Sequence, residues 1–217
     1  MDTWTHYYKL DELGKPCVAQ MSYEPLINKE RNVFCMNFDP KNPYQDYLNK
    51  VGFVPEIVHE LFDREVKYLT KFKDYKWAPE VLDITDNKIY IRWYDNTCND
   101  IINTGKALPS NWKEQLASII HNQLEEQVYK ITQYPHCFYV DDTNQLHTFD
   151  LHACFDFDDY LIPYSKIKGM IHVSSEDRVA EAQDNGIVNM RDMFLNSLKT
   201  HIKWPDNYLT ELYKFYD

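Results

Sequence analysis

Glycine is scarce in this chain. Its five glycines, Gly14, Gly52, Gly105, Gly169 and Gly186, stand singly. Neither a Gly-x-Gly-x-x-Gly nor a Gly-x-x-x-x-Gly-Lys phosphate loop can be assembled from them. Long apolar runs are missing too. The stretch from Ile89 to Tyr94 is far shorter than the ~20 residues a bilayer helix needs. Met1-Asp2-Thr3-Trp4 lacks the basic and apolar regions of a secretory signal. The expectation is a soluble, cytoplasmic chain with no membrane attachment. The five cysteines (Cys17, Cys35, Cys98, Cys137, Cys154) are odd in number and form no Cys-x-x-Cys pair. That speaks against a disulfide framework and for free thiols in a reducing compartment. Positive charge is in deficit, 23 Lys and Arg against 34 Asp and Glu, for a net charge of −11. A nucleic-acid backbone would be repelled unless basic residues were concentrated somewhere. The candidates, Lys67, Lys71, Lys73 and Lys76 with Lys166 and Lys168, are interleaved with acids and aromatics and read as solvated faces.

Apolar residues make up 44% of the 217 positions and aromatics 15%, enough to fold one domain or two small lobes. His6–Leu10 and Cys17–Met21 around Leu13-Gly14-Lys15-Pro16 read as a hairpin, and Asn32–Phe38 as a further strand. From Pro55 to Phe72 the residues Ile57, Leu61, Val66, Leu69 and Phe72 recur at helical spacing. Pro79–Ile84 and Lys88–Tyr94 flank the turn Thr85-Asp86-Asn87 as a second hairpin. The polar stretch Asp95–Asp100 then reads as a connection. After it, Ser110 is the expected N-cap of a helix with a stripe of Trp112, Leu116, Ile119, Ile120, Leu124 and Val128. Phe138–Val140 and Leu146–Phe149 bracket an Asp-Asp-Thr-Asn turn. The tail predicts helices over 175–183 and 190–203, and a last one after Trp204-Pro205-Asp206. The fold class expected is α+β: a β-rich N-terminal lobe over 1–95 and a mainly helical C-terminal lobe over 96–217, together one unit.

This layout and several local strings resemble the protein-kinase-like fold. The segment from Phe138 to His152 is similar to the kinase hairpin that follows the catalytic loop and ends in Asp-Phe-Gly, here Asp150-Leu151-His152. At the kinase spacing, Cys137 stands where the family has the catalytic-loop asparagine and Thr132 where it has the catalytic aspartate. Lys130-Ile131-Thr132 thus replaces His-Arg-Asp, with Pro135 on the loop proline. Leu61–Leu69 resembles helix C, with Glu65 in the place of its glutamate, and Met36 occupies the lysine position of Val33-Phe34-Cys35-Met36. An Ala-Pro-Glu motif is absent, and the 67 residues after Asp150 are few for a kinase helical lobe.

Phosphoryl transfer relies on a glycine loop, a lysine on the phosphates, magnesium held by carboxylate and amide, and an aspartate near the attacking hydroxyl. Of that set only Asp150 remains. The resemblance therefore implies a catalytically inactive, pseudokinase-like binding or regulatory protein, with Met36, Glu65, Thr132, Cys137 and Asp150 marking a degenerate nucleotide site and no working cofactor. One alternative is an atypical phosphotransferase using ATP with Mg²⁺ or Mn²⁺ on Asp150, helped by Asp141 or Asp142. Another is a structural or host-interaction protein. Asp150-Leu151-His152 also resembles the catalytic-loop start of aminoglycoside-phosphotransferase-like kinases, but Phe155 stands where that register needs a metal-binding asparagine. Lacking a positive partner, Glu65 is expected either as a partly exposed helix acid or as a retained contact between lobes.

Two further constellations stand beside the kinase strings. His136, Cys137, His147, Asp150, His152 and Cys154 are all competent zinc ligands, though their spacing matches no zinc pattern. Seventeen Tyr, eleven Phe and five Trp suit core packing and a protein-binding patch; Trp204-Pro205 and Tyr208–Tyr216 read either as the exposed apolar material of such a patch or, the more ordinary outcome, as an amphipathic C-terminal helix packed on its own lobe. The expected partner is therefore a protein, not a nucleic acid or membrane. Usage rich in Tyr, Asn and Lys suggests an AT-rich genome such as that of a phage.

Overall fold

In the computed structural model, which describes residues 3–7, 9–10, 16–17, 22–41, 46, 55–95, 97–159, 161–163, 186–200 and 204–216, strands lead and helices follow. Strand β1 is Thr5–His6, and the short pair β2 (Lys9–Leu10) and β3 (Pro16–Cys17) meets antiparallel with Lys9 opposite Cys17. Of the expected first hairpin, Lys9–Leu10 and Pro16–Cys17 are described and they pair. Its turn at 13–15 and the residues 18–21 lie outside the described residues.

Strand β4 (Glu24–Asn28) was not legible in the sequence, because Pro25 interrupts it as a strand signal. It nevertheless pairs with β1 on one side and with β5 (Val33–Asn37) on the other. The second hairpin forms as β6 (Val81–Thr85) and β7 (Lys88–Arg92). Together they give a five-stranded antiparallel sheet in the order β1-β4-β5-β7-β6. Central β5 is buried from Phe34 to Asn37, whereas edge strand β6 is exposed throughout.

Helix α1 runs over Pro55–Phe72, as its apolar spacing predicts, with Glu56 in the first turn and Lys71 in the last, both favourable to the helix dipole. Val58, Leu61, Glu65, Tyr68, Leu69 and Phe72 form its buried stripe. Glu65 is the one acid on that stripe.

The polar connection after residue 94 is shorter than expected. Helix α2 (Cys98–Asn103) begins inside it, started by a capping box. Asp100 N–H donates to Thr97 Oγ1 at 3.2 Å, and Thr97 N–H to Asp100 Oδ2 at 3.1 Å. Helix α3 is Trp112–Glu125, with Asn111 at the N-cap, not Ser110. Val128 is not on its stripe. Gln127 turns left-handed at φ 58° and ends the helix, so Val128 opens strand β8 (Val128–Lys130) instead.

A 3-10 turn at Pro135–Cys137 leads into β9 (Phe138–Val140), which pairs with β10 (Leu146–Thr148) as the expected hairpin. After the turn Leu151–Ala153, strand β11 (Cys154–Asp156) pairs antiparallel with β8. Strands β12 (Leu161–Pro163) and β13 (Ile187–Asn189) form the last pair. Helix α4 covers Met190–Thr200 and α5 covers Tyr208–Tyr216; the helix expected over 175–183 and the end of the 190–203 helix lie outside the described residues.

Of the two readings of the tail, the packed one holds at Trp204, which is 2% exposed. Its ring stacks on Trp112 at 5.3 Å and 9°, and its Nε1 donates to Gln133 O at 2.8 Å. Leu209 and Leu212 are buried with it, while Phe215 stays exposed. One continuous apolar cluster runs from the sheet and α1 through α3 to α4 and α5.

Candidate functional site: a buried acid engaged by its own chain

Asp150 follows β10 directly and takes the left-handed conformation, φ 59° and ψ 49°. Aspartate is among the few residues that tolerate this region without large strain. The residue is 5% exposed, and its carboxylate is engaged on both oxygens. Tyr23, at the start of β4, donates its hydroxyl to Asp150 Oδ1 at 2.6 Å. The Cys137 thiol reaches Oδ2 at 3.6 Å. Burial, then the charge of Asp150, pushes the Tyr23 hydroxyl well above the ordinary tyrosine range, so it remains a donor.

Two residues on, His152 meets Glu65. The Glu65 carboxylate is fully buried, and its Oε2 accepts from His152 N–H at 2.6 Å and from the imidazole Nδ1 at 2.9 Å. Glu65 is therefore no partly exposed helix acid. A carboxylate can only accept, so Nδ1 carries the proton in this contact. The far nitrogen Nε2 lies 2.9 Å from Ser22 Oγ. Arg64, beside Glu65 on α1, donates to the carbonyls of His152 (3.1 Å from Nε) and Cys154, and its guanidinium lies 4.2 Å from the Phe155 ring centre. Helix α1 thus grips the segment 152–155 with two adjacent side chains.

Met36 sits fully buried in β5, opposite Pro25 and Ile89. Thr132 follows β8 and is held by Lys130, whose Nζ donates to Thr132 Oγ1 at 2.9 Å and to Thr132 O. Lys130 is itself fully buried, with its ammonium 5.6 Å from the Phe138 ring centre. Of the sequence-selected positions, the fold joins Cys137 to Asp150 and sets Glu65 against the adjoining turn. Thr132 is tied to Lys130.

Tyr23, the partner of Asp150, belongs to a cluster of aromatic rings. Phe34 stacks on Trp93 at 4.9 Å and 26°, and lies 5.8 Å from Tyr7, 6.1 Å from Tyr23 and 6.1 Å from Phe149. Tyr7 is 4.8 Å from Trp93, and Tyr139 is 5.9 Å from Trp93. Tyr7, Ser22 and Tyr23 have no local motif to mark them, since Tyr23 and Asp150 are 127 residues apart in sequence.

The six candidate zinc ligands are dispersed. His136 stacks on Tyr134 at 5.0 Å, His147 faces Asp141 Oδ2 and Ala78 O, and His152 is held by Glu65 and Ser22. Cys154 is fully buried on β11, and burial pushes its thiol up to about 12. Among the described residues no three His, Cys, Asp or Glu are grouped as a metal site requires.

No protein-family model and no curated protein sequence matches the chain. Solved structures of WbdD are similar to it in fold. Monomeric WbdD gives a TM-score of 0.53 at 12% identity over 98% of this chain and 48% of that one. A structure of the bifunctional kinase-methyltransferase WbdD gives 0.51 at 11% identity over 99% and 46%. The chain spans about half the length of these structures, and identity this low carries a likeness of fold alone, to a kinase-like protein.

Proposed function

We propose that the chain is a two-lobed, kinase-like scaffold without phosphotransferase activity that acts as a protein-binding or regulatory module. The observation that carries this reading is the Tyr23 hydroxyl on Asp150. Asp150 is the one acid of the phosphoryl-transfer set left in the chain, and its oxygens are committed to Tyr23 and Cys137.

ATP with magnesium fits these residues poorly. Magnesium takes hard oxygen ligands, and the position beside Asp150 that resembles the metal-binding asparagine holds a thiol. Met36 offers no charge to phosphates. In the family pattern a small alanine precedes that lysine by two residues, and here Phe34 stands there, stacked on Trp93. The net charge of −11 weighs further against a polyphosphate ligand.

Ser22, His152 and Glu65 have the order of a nucleophile, base and acid. Their exposures of 5%, 8% and 0% favour an internal tie between the sheet, helix α1 and the 150–154 segment over a reacting centre. With Asp150 and Glu65 engaged inside the chain, the outer surfaces are left to engage a protein partner.

The experiment is thermal unfolding with and without ATP plus Mg²⁺ or Mn²⁺, since a ligand at ~100 times its dissociation constant adds ~2.7 kcal/mol. No shift with any combination is expected. A rise abolished by Asp150→Ala, followed by transfer of the γ-phosphate, would overturn the reading.

A further inference from the structure

His147 lies on β10, in the hairpin that carries Asp150, and both of its ring nitrogens meet oxygens. Nε2 is 3.1 Å from Asp141 Oδ2, in the turn of its own hairpin. Nδ1 is 3.1 Å from Ala78 O, in the connection between α1 and β6. The side chains of His147 and Asp141 are 12% and 13% exposed, so the pair is largely covered. An ionised carboxylate and a backbone carbonyl can only accept. A neutral imidazole carries one N–H, so it serves one of these oxygens and turns a lone pair on the other. The imidazolium, with two N–H groups, makes both hydrogen bonds.

The surroundings favour that form. The His147 ring stacks on Tyr139 at 5.0 Å and 9°, and on Tyr94 at 6.3 Å and 18°. Aromatic faces attract a cation through their quadrupole. Burial pushes both phenols above the ordinary tyrosine range, so both stay neutral. Against the effect of burial on Asp141, hydrogen bonds from Gln145, His147 and Thr143 hold its carboxyl below the ordinary value, so it stays ionised. The further charges felt by the two phenols are Glu80 ahead of β6 and Asp142 in the turn, both negative, and Arg92 on β7, which is turned to Glu80 at 3.4 Å. Helix α3 meets β10 through a neutral group, Gln115 Oε1 accepting Leu146 N–H at 2.7 Å.

Loss of one ring proton has a directed outcome. The Asp141 charge keeps the remaining N–H on Nε2, which leaves Nδ1 bare against Ala78 O. The contact that fails is thus the one that crosses between elements. Beside it Thr148 N–H donates to Trp77 O at 3.2 Å, and Trp77 Nε1 donates to Asn122 Oδ1 on α3 at 3.1 Å. We infer that His147 is a proton-dependent latch between the α1–β6 connection and the hairpin that carries Asp150, closed by the imidazolium and released when Nδ1 gives up its proton. The latch is whole at the acid end of the imidazole range and lost as the pH rises through it. It holds whether or not Asp150 serves a ligand.

Hydrogen exchange followed by NMR on the full chain, at about pH 5.5 and about pH 8.5 and corrected for the intrinsic pH dependence of exchange, tests the latch. From the lower to the higher pH, protection of the Thr148 amide should fall about fivefold more in the parent than in His147→Phe, which keeps a ring but has no N–H to give. A second readout needs no substitution. In long-range proton–nitrogen spectra of the parent, both His147 ring nitrogens should carry protons at about pH 5.5, and Nδ1 should be bare at about pH 8.5. If His147→Phe does not fold, these spectra decide alone. A bare ring nitrogen at the lower pH, a protonated Nδ1 at the higher one, or equal changes in protection in the parent and a folded His147→Phe would each overturn the inference.

Discussion

Replacing Glu65 by alanine tests the tie between helix α1 and the segment after Asp150. Glu65 Oε2 accepts two hydrogen bonds from His152, and the side chain is fully buried. Truncation leaves a buried amide and a buried imidazole N–H without an acceptor, each costing about 1–3 kcal/mol. A loss of about 4 kcal/mol is expected, in line with the 3–5 kcal/mol of other broken buried pairs. For a chain of this size that lowers the melting temperature by roughly 8–16 °C. Glu65→Gln keeps an oxygen for both donors and gives up the charge, so its cost should be smaller, about 1–2 kcal/mol. Ser22→Ala removes the third member at about 1 kcal/mol and should be non-additive with Glu65→Gln, since both act on one imidazole. Thermal and urea unfolding followed by circular dichroism give these values. A Glu65→Ala variant within about 1 kcal/mol of the parent, or one no worse than Glu65→Gln, would refute the reasoning.

Three other outcomes follow from the structure. Burial pushes the thiols of Cys35 and Cys154 up to about 12, so in the native chain near pH 8 both should resist iodoacetamide while labelling readily in denaturant; native labelling located by mass spectrometry at either site would contradict their burial. Asp141 sits below its ordinary value of 3.8, because hydrogen bonds from Gln145, His147 and Thr143 outweigh the effect of burial. The unfolded chain then takes up this proton first as pH falls, so the stabilisation is whole above about pH 5 and is lost as pH drops through the folded value. Asp141→Asn should cost about 1–2 kcal/mol at pH 7 and flatten the decline between pH 5 and 3, and an unchanged acid limb in urea titrations would count against it. Trp204→Ala should cost about 3–5 kcal/mol, because it empties a position stacked on Trp112, packed 5.3 Å from Phe138 and bonded to Gln133; calorimetry reads the loss, and one under about 1 kcal/mol would mean the tail packs elsewhere.

Helix α1 was legible to the residue, because its apolar spacing repeats over five turns and needs no knowledge of what lies opposite. The hairpins β6–β7 and β9–β10 were legible for a similar reason, since local turn residues join adjacent strands. Strand β4 escaped because Pro25 breaks the pattern, and its pairing with β1 and β5 is not encoded locally. Val128 fits the stripe of α3 by spacing, and only the left-handed turn at Gln127 takes it out of the helix. Spacing alone left two readings of the Trp204 tail, exposed patch or packed helix, and contact with Trp112 on α3 decides for the packed one.

The site divides the same way. Missing residue types are absolute, so the sequence alone excluded a glycine loop, and put Met36 and Thr132 where the kinase resemblance calls for a lysine and an aspartate. The hairpin leading to Asp150 was equally a matter of local chemistry. What engages Asp150 and His152 was a tertiary decision: Tyr23 reaches Asp150 across 127 residues, and Glu65 takes His152 across 87. Such contacts depend on how the sheet and α1 pack over the 150–154 segment. Side chains that meet only through packing leave no spacing in the chain to read.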